Sequence, residues 1–167
     1  MTTRLVPLSA HHEAALLALT LPPEQRPFTT HPADLLPDLR GDPQRRGVTI
    51  LDGDEVAGLF ALSSGPHCEK CLSEPDPHAV AVSSLSIDTS RQGRGVGTAA
   101  MRQLPSLVPS LFPEARRVVL VVNQRNPAAR RVYEKAGFTV TGERQGPVGA
   151  QWVMTLALAW PPGPGSA

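Results

Sequence analysis

Proline is the feature that most limits what this chain can fold into. There are 18 in 167 residues, about twice the usual ~5% share. A proline lacks a backbone N–H and clashes with the preceding helical turn, so it shortens helices and is kept out of central strands. Residues 20–47 carry Pro22, Pro23, Pro27, Pro32, Pro37 and Pro43, which leaves room for one short helix. The spacing of Leu35, Leu36 and Leu39 predicts it over Pro32–Leu39, with Pro32 in the first turn, where the missing N–H is not needed.

Strands are predicted at Thr2–Leu8, Gly47–Leu51, Val56–Ser63, Ala79–Ile87, Arg116–Val122, Phe138–Gly142 and Gln151–Leu158. Asp52-Gly53-Asp54-Glu55 joins the second and third as a hairpin. Ser9 stands where it would cap a helix over Ala10–Leu19, and Ser64–His78 reads as loop. A third helix opens at Gly95 with its apolar stripe at Val96, Ala100, Leu104, Leu107 and Leu111; Pro105 and Pro109 must kink or divide it. A fourth begins at Asn126-Pro127, a cap followed by a first-turn proline, and stops at Gly137. Its inner face is Ala129, Val132, Tyr133 and Ala136. Arg130 and Glu134 lie outside, at a spacing that lets them pair. This is an α/β pattern of the α+β kind, read as one domain over 1–160 with a disordered Pro/Gly/Ser tail at 161–167. Sheet order is not legible.

Charge is nearly balanced, Lys+Arg 16 against Asp+Glu 15, which excludes a broad electrostatic nucleic-acid binder. The most apolar run, Ala150–Trp160, is broken by Gln151 and Thr155 and is too short to span a bilayer. Met1–Pro7 lacks the apolar core of a secretion signal. The expectation is a soluble, cytoplasmic protein with neither membrane nor nucleic-acid partner.

Between the fourth strand and its following helix runs Arg91-Gln92-Gly93-Arg94-Gly95-Val96-Gly97-Thr98. Alternating glycines let the backbone approach a ligand closely, and a helix start offers unpaired N–H groups and positive partial charge. Together they suit a pyrophosphate, with Arg91 and Arg94 adding charge at the rim. Gly95–Ala100 meets the loose dinucleotide pattern G-x-G-x-x-A, but the next strand ends Val121-Val122-Asn123-Gln124-Arg125, without the acid that would hold a ribose. The P-loop pattern fails for want of a lysine before Thr98.

Gln92-Gly93-Arg94-Gly95-Val96-Gly97 resembles the Q/R-x-x-G-x-G/A signature of the GNAT superfamily of acetyl-CoA-dependent N-acetyltransferases. Asn126–Phe138 is similar to that family's second signature in its Asn, its small residues, its Tyr and its closing Gly-Phe. The resemblance covers roughly Ala79–Leu158. It implies a mixed, largely antiparallel sheet of about seven strands flanked by about four helices. The implied reaction is acetyl transfer from acetyl-CoA to a primary amine, small molecule or protein, by direct attack in a ternary complex. A non-catalytic acyl-CoA-binding module of the same fold is the alternative, and a homodimer is compatible with either.

The resemblance assigns coenzyme contacts to Leu85, Ser86, Ile87, Gln92, Gly93, Arg94, Gly95, Val96, Gly97, Thr98 and Asn126, and the role of proton donor to the leaving thiolate to Tyr133. Read as residues alone, Leu85 and Ile87 also suit plain core, Asn126 a helix cap, and Tyr133 a core aromatic. A lysine-like amine is neutral in only about one molecule in a few thousand at pH 7, so a base or a desolvating pocket helps. The two strand positions where family members carry a glutamate are Ala81 and Val121 here. That leaves His67, Glu69, Glu74, Asp76, His78 and Glu143, or a water relay. His67, Cys68, Cys71 and His78 have the donor types for zinc, but one C-x-x-C without a second pair reads better as a loop with reduced thiols, and no metal is expected.

Overall fold

The structure is a computed structural model that describes residues 2–159; the tail at 161–167 lies outside the described residues. In chain order the elements are β1 (Thr3–Pro7), α1 (Glu13–Leu17), α2 (Pro32–Arg40), β2 (Arg45–Asp52), β3 (Glu55–Ser63), α3 (Pro66–Glu69) and β4 (Ala79–Ile87). They continue as α4 (Val96–Met101), α5 (Leu104–Leu111), β5 (Arg117–Asn123), α6 (Pro127–Lys135), β6 (Thr139–Gly146) and β7 (Gly149–Ala157). Tighter 3-10 turns occupy Ala10–His12, Pro23–Phe28 and Thr89–Arg91.

One seven-stranded sheet runs in the order β1-β2-β3-β4-β5-β7-β6. Every neighbouring pair is antiparallel except β4 and β5. Parallel neighbours need a crossover, and α4 with α5 supplies it. The predicted strands are all present, β6 running on to Gly146 and turning through Pro147-Val148 into β7.

The helices depart from expectation in two places and meet it in a third. The stripe that opens at Gly95 divides, one of the two outcomes that Pro105 and Pro109 allow: α4 stops at Met101 and α5 restarts at Leu104, which puts Pro105 in a first turn. The first helix does not run over Ala10–Leu19. It starts as a 3-10 turn, becomes α-helical only over Glu13–Leu17, and Ser9 makes no side-chain cap bond. Within the expected loop Ser64–His78 lies α3, launched by Gly65 at φ +68 with Pro66 in its first turn. Cys68 pins α3 by burying itself against Ala79, Ala81 and Val119. The described residues thus hold six α-helices where about four were expected.

The sheet has two packed faces. On one, Val80, Val82, Val118, Leu120 and Val122 meet Ala100, Met101, Leu104 and Tyr133 of the α4–α6 side. On the other, Leu59 and Ala61 meet Leu16, Leu35, Leu36 and Leu39, and Ala81 and Val119 meet Cys68. Side chains alternate between faces along each strand.

Two irregularities in β4 shape the centre of the sheet. Leu59 pairs with Ser86 and Ala61 with Ser83, so two steps on β3 match three on β4. The extra residue is a bulge at Ser84, which has φ +57 and is the one non-glycine at positive φ among the described residues. Beyond it the alternation is reversed, and Leu85 and Ile87 join the α4–α6 core while Ser86 is buried toward Thr29. In addition, β4 pairs with β5 only from Ala79↔Arg117 to Ala81↔Val119, whereas β5 stays paired with β7 as far as Asn123↔Gln151. Past Ala81 the two central strands diverge. Among the described residues no helix is long and apolar enough to cross a membrane.

Candidate active site

The divergence of β4 and β5 opens a cleft of about 620 Å³ that reaches both faces of the sheet. On the α4–α6 side it is lined by Leu85, Ile87, Gln92, Gly93, Gly95, Val96, Gly97, Thr98, Asn126 and Tyr133. These residues, 48 positions apart at the extremes, come from the end of β4, the glycine loop with α4, and α6 with its cap. Ser86 and Arg94 do not line it: Ser86 is buried beside Thr29, their hydroxyls 3.4 Å apart, and Arg94 is exposed.

The glycine loop is held from behind. Asp88 accepts from the backbone N–H of Thr20 at 2.8 Å and of Ser90 at 3.1 Å. Gln92 donates its side-chain amide to the Ile87 carbonyl at 2.7 Å, so its side chain fixes the end of β4. Arg91 forks onto Asp52 and Glu55 of the β2–β3 hairpin. It braces the loop through these two carboxylates while also lining the cleft. Gly95 forms the left-handed turn into α4 at φ +78, with nothing within 4 Å of where a Cβ would stand. Gly97 faces α6, where a Cβ would stand 3.4 Å from Val132, at ordinary contact distance.

Asn126 is a helix cap that also lines the cleft. Its Oδ1 accepts from the Ala129 N–H at 3.2 Å and caps α6, which leaves its amide hydrogens for a ligand in the cleft. Tyr133 is buried and packs edge-to-face on Phe138, centroids 5.8 Å apart. Burial pushes its phenol up to about 12, so it keeps its proton throughout the neutral range.

The opposite side of the cleft has other makers. Gln25, Phe28 and Thr29 come from the 3-10 turn after α1 and its exit, His67 and Cys71 from α3 and the residues after it, and Val148 from the β6–β7 turn. Ala81, Val121, Asn123 and Gln151 project here from β4, β5 and β7 by strand alternation. Asn123 is buried and donates to the Val148 carbonyl at 3.0 Å. The Gln151 Oε1 is buried without a hydrogen-bond donor. Sequence reasoning missed Phe28, Thr29 and Gln151. Asn123 carried a signal, a polar residue closing an otherwise apolar strand.

The sequence of this chain matches the profile of the Acetyltransferase (GNAT) family over residues 14–138. It is 33% identical over 144 residues to "Uncharacterized N-acetyltransferase YbbJ" of Bacillus subtilis (strain 168), covering 86% of this chain and 89% of that one. The chain belongs to the GNAT acetyltransferase family. It is an N-acetyltransferase. A second relative is the aminoglycoside N(6')-acetyltransferase type 1 of Klebsiella pneumoniae, 34% identical over 106 residues, 60% of this chain and 48% of that protein. Among solved structures, AAC(6')-Ib in complex with coenzyme A and kanamycin superposes with a TM-score of 0.75 at 22% identity, covering 93% of this chain and 95% of that one. An acetyltransferase from Thermus thermophilus gives 0.68 at 22% identity, covering 95% and 98%.

Of the groups weighed as base in this GNAT chain, only His67 lines the cleft. Glu69 and Glu74 are exposed. Asp76 accepts from the His78 N–H and from Arg117, which hold its carboxyl below the usual range. His78 itself is 3.1 Å from the Glu114 carbonyl. Glu143 stands opposite Trp152, on the α4–α6 face. The His67 Nε2 lies 3.5 Å from the Asp42 carboxylate. Desolvation, with Arg45 and Lys70 nearby, lowers its pKa against the pull of Asp42 and Asp38, so the ring is neutral at pH 7. Cys68 faces the core and Cys71 the cleft, both as free thiols; burial pushes Cys68 up to about 12 and raises Cys71 as well. Among the described residues no three His, Cys, Asp or Glu gather around a common point.

Proposed function

We propose that this chain acts as a single N-acetyltransferase domain whose acceptor is a primary amine, which attacks acetyl-CoA directly while both are bound. What carries the reading is the divergence of β4 and β5 past Ala81. It joins a backbone-lined groove on the α4–α6 side to a side-chain-lined pocket on the other, so two substrates can meet through the sheet. Acetyl-CoA brings the thioester carbonyl that the amine attacks.

Gly93, Gly95 and Gly97 with the first turn of α4 would receive the pyrophosphate on backbone N–H groups. The edge of β4 at Leu85 and Ile87, freed from β5, would receive the pantetheine arm and offer a donor to the carbonyl oxygen. His67 takes the amine proton, neutral at pH 7 and steadied by Asp42. Tyr133 hydrogen-bonds the sulfur as the C–S bond breaks. Cys71 could in principle accept the acetyl group first, but a thiol whose pKa is raised by burial is a poor nucleophile, which favours direct attack. Free thiols also suit a reducing, cytoplasmic setting.

Isothermal titration with acetyl-CoA, followed by free-thiol release across a panel of amines, tests the reading. Binding with amine-dependent thiol release is the expected result, with no acetyl adduct on the protein when acetyl-CoA is supplied alone. Binding without release for any amine would make the chain an acyl-CoA-binding module.

A further inference from the structure

We propose that the acceptor is a monoamine, an amine whose reacting nitrogen carries its only positive charge, and that polycations such as polyamines and aminoglycosides are poor acceptors. The inference narrows the N-acetyltransferase reading above and depends on it.

The acceptor side of the cleft presents amides, hydroxyls and apolar groups: Gln25, Thr29, Asn123, Gln151, Phe28 and Val148. Among the described residues no carboxylate lines the cleft itself. Arg125 stands over the Phe28 ring, 6.0 Å from its centroid, and donates to the Val148 carbonyl at 2.5 Å. The nearby carboxylates stand outside the lining. Asp42 lies behind His67 and accepts from the Gln44 N–H at 2.9 Å, Asp38 is in the same neighbourhood, and Asp76 is held by Arg117 at 2.8 Å. Asp34 lines an adjoining depression together with Arg26 and His31. A molecule with several ammonium groups would shed hydration here without meeting counter-charges and would confront Arg125.

One nitrogen fares differently. Once neutral, an amine keeps N–H groups, and the buried Gln151 Oε1 lacks a donor. Pairing the two removes the cost of an unsatisfied acceptor, and His67 is on the same side to take the proton the amine must lose. An apolar or anionic remainder then suits Phe28, Val148 and Arg125.

The test uses the full chain with acetyl-CoA and four amines: 2-phenylethylamine and 4-aminobutyrate as monoamines, spermidine and kanamycin as polycations. Calorimetry comes first, because failure to bind acetyl-CoA would strike the N-acetyltransferase reading itself. With binding shown, kcat/KM for at least one monoamine should exceed that of both polycations by about tenfold or more. Equal or better turnover of spermidine or kanamycin overturns the proposal, and so does silence with all four amines. In Thr30→Glu, which adds a carboxylate at an exposed position of this wall, the spermidine-to-monoamine ratio should rise about fivefold. An unchanged ratio would put the acceptor elsewhere.

Discussion

The two walls of the cleft are put together in different ways. The α4–α6 wall comes from residues 85–98 and 126–133, one strand end with its loop and helix, and the helix after the next strand. The opposite wall gathers residues 25–30, 67–71, 121–123 and 147–151 from loops and strand ends far apart in the chain. The first wall works through backbone and glycine, the second through side chains on connecting segments. A task that does not change, holding a phosphate-bearing coenzyme, suits backbone geometry. Choosing an acceptor suits loops that can change without disturbing the sheet.

Breaking the backbone wall should cost most. In Gly95→Asp the new side chain has open space and a left-handed conformation that aspartate tolerates better than most residues, so the fold should survive. A carboxylate against the phosphates, with one or two charge-assisted hydrogen bonds lost at ~1.5–3 kcal/mol each, should weaken acetyl-CoA binding roughly 10³-fold. Unchanged affinity by calorimetry would put the phosphate site somewhere else.

Tyr133→Phe leaves the ring on Phe138 and removes only the hydroxyl. With its phenol near 12, Tyr133 is a weaker acid than the departing thiol, and its help lies in hydrogen-bonding the developing thiolate. Turnover should fall by about 10², the low end for acid–base assistance, while KM holds. Near-normal turnover with chemistry rate-limiting would reduce Tyr133 to a packing residue.

The smallest effect belongs to the side-chain wall. In the wild type, kcat/KM should decline as pH drops through the lowered His67 pKa, because the protonated ring cannot take a proton. His67→Gln should remove that limb and cost about tenfold at pH 7, a gap that narrows above about pH 9 as more amine is neutral in solution. A variant with the wild-type pH profile and rate would show that water, not His67, takes the proton.

Legibility followed the same division. The glycine run, the Asn126-Pro127 start and the Gly137-Phe138 stop are local signals, and each dictates backbone conformation within a few residues. The divided α4–α5 stripe was also local, because a first-turn position is the cheapest place for Pro105. The bracing role of Arg91 was not legible because its partners, Asp52 and Glu55, sit 39 and 36 positions away across the sheet. His67 could be named but not chosen from sequence: what brings it to the cleft is Cys68, anchored beneath Ala81 by a contact that no periodicity announces.

The bulge at Ser84 puts β4 out of phase with itself. Odd-numbered residues before it look toward the side-chain-lined pocket, and odd-numbered residues after it look toward the α4–α6 groove, so a single strand contributes to both walls of the cleft. Removing Ser84 would not reverse that facing. Ser83 would still lie opposite Ala61 and Ser86 opposite Leu59, with Leu85 and Ile87 still on the α4–α6 core, and the strand would pair with β3 without interruption. What the deletion would erase is the bulge itself, so a one-residue shortening of β4 should leave the core in place and change the local twist of the strand at the cleft.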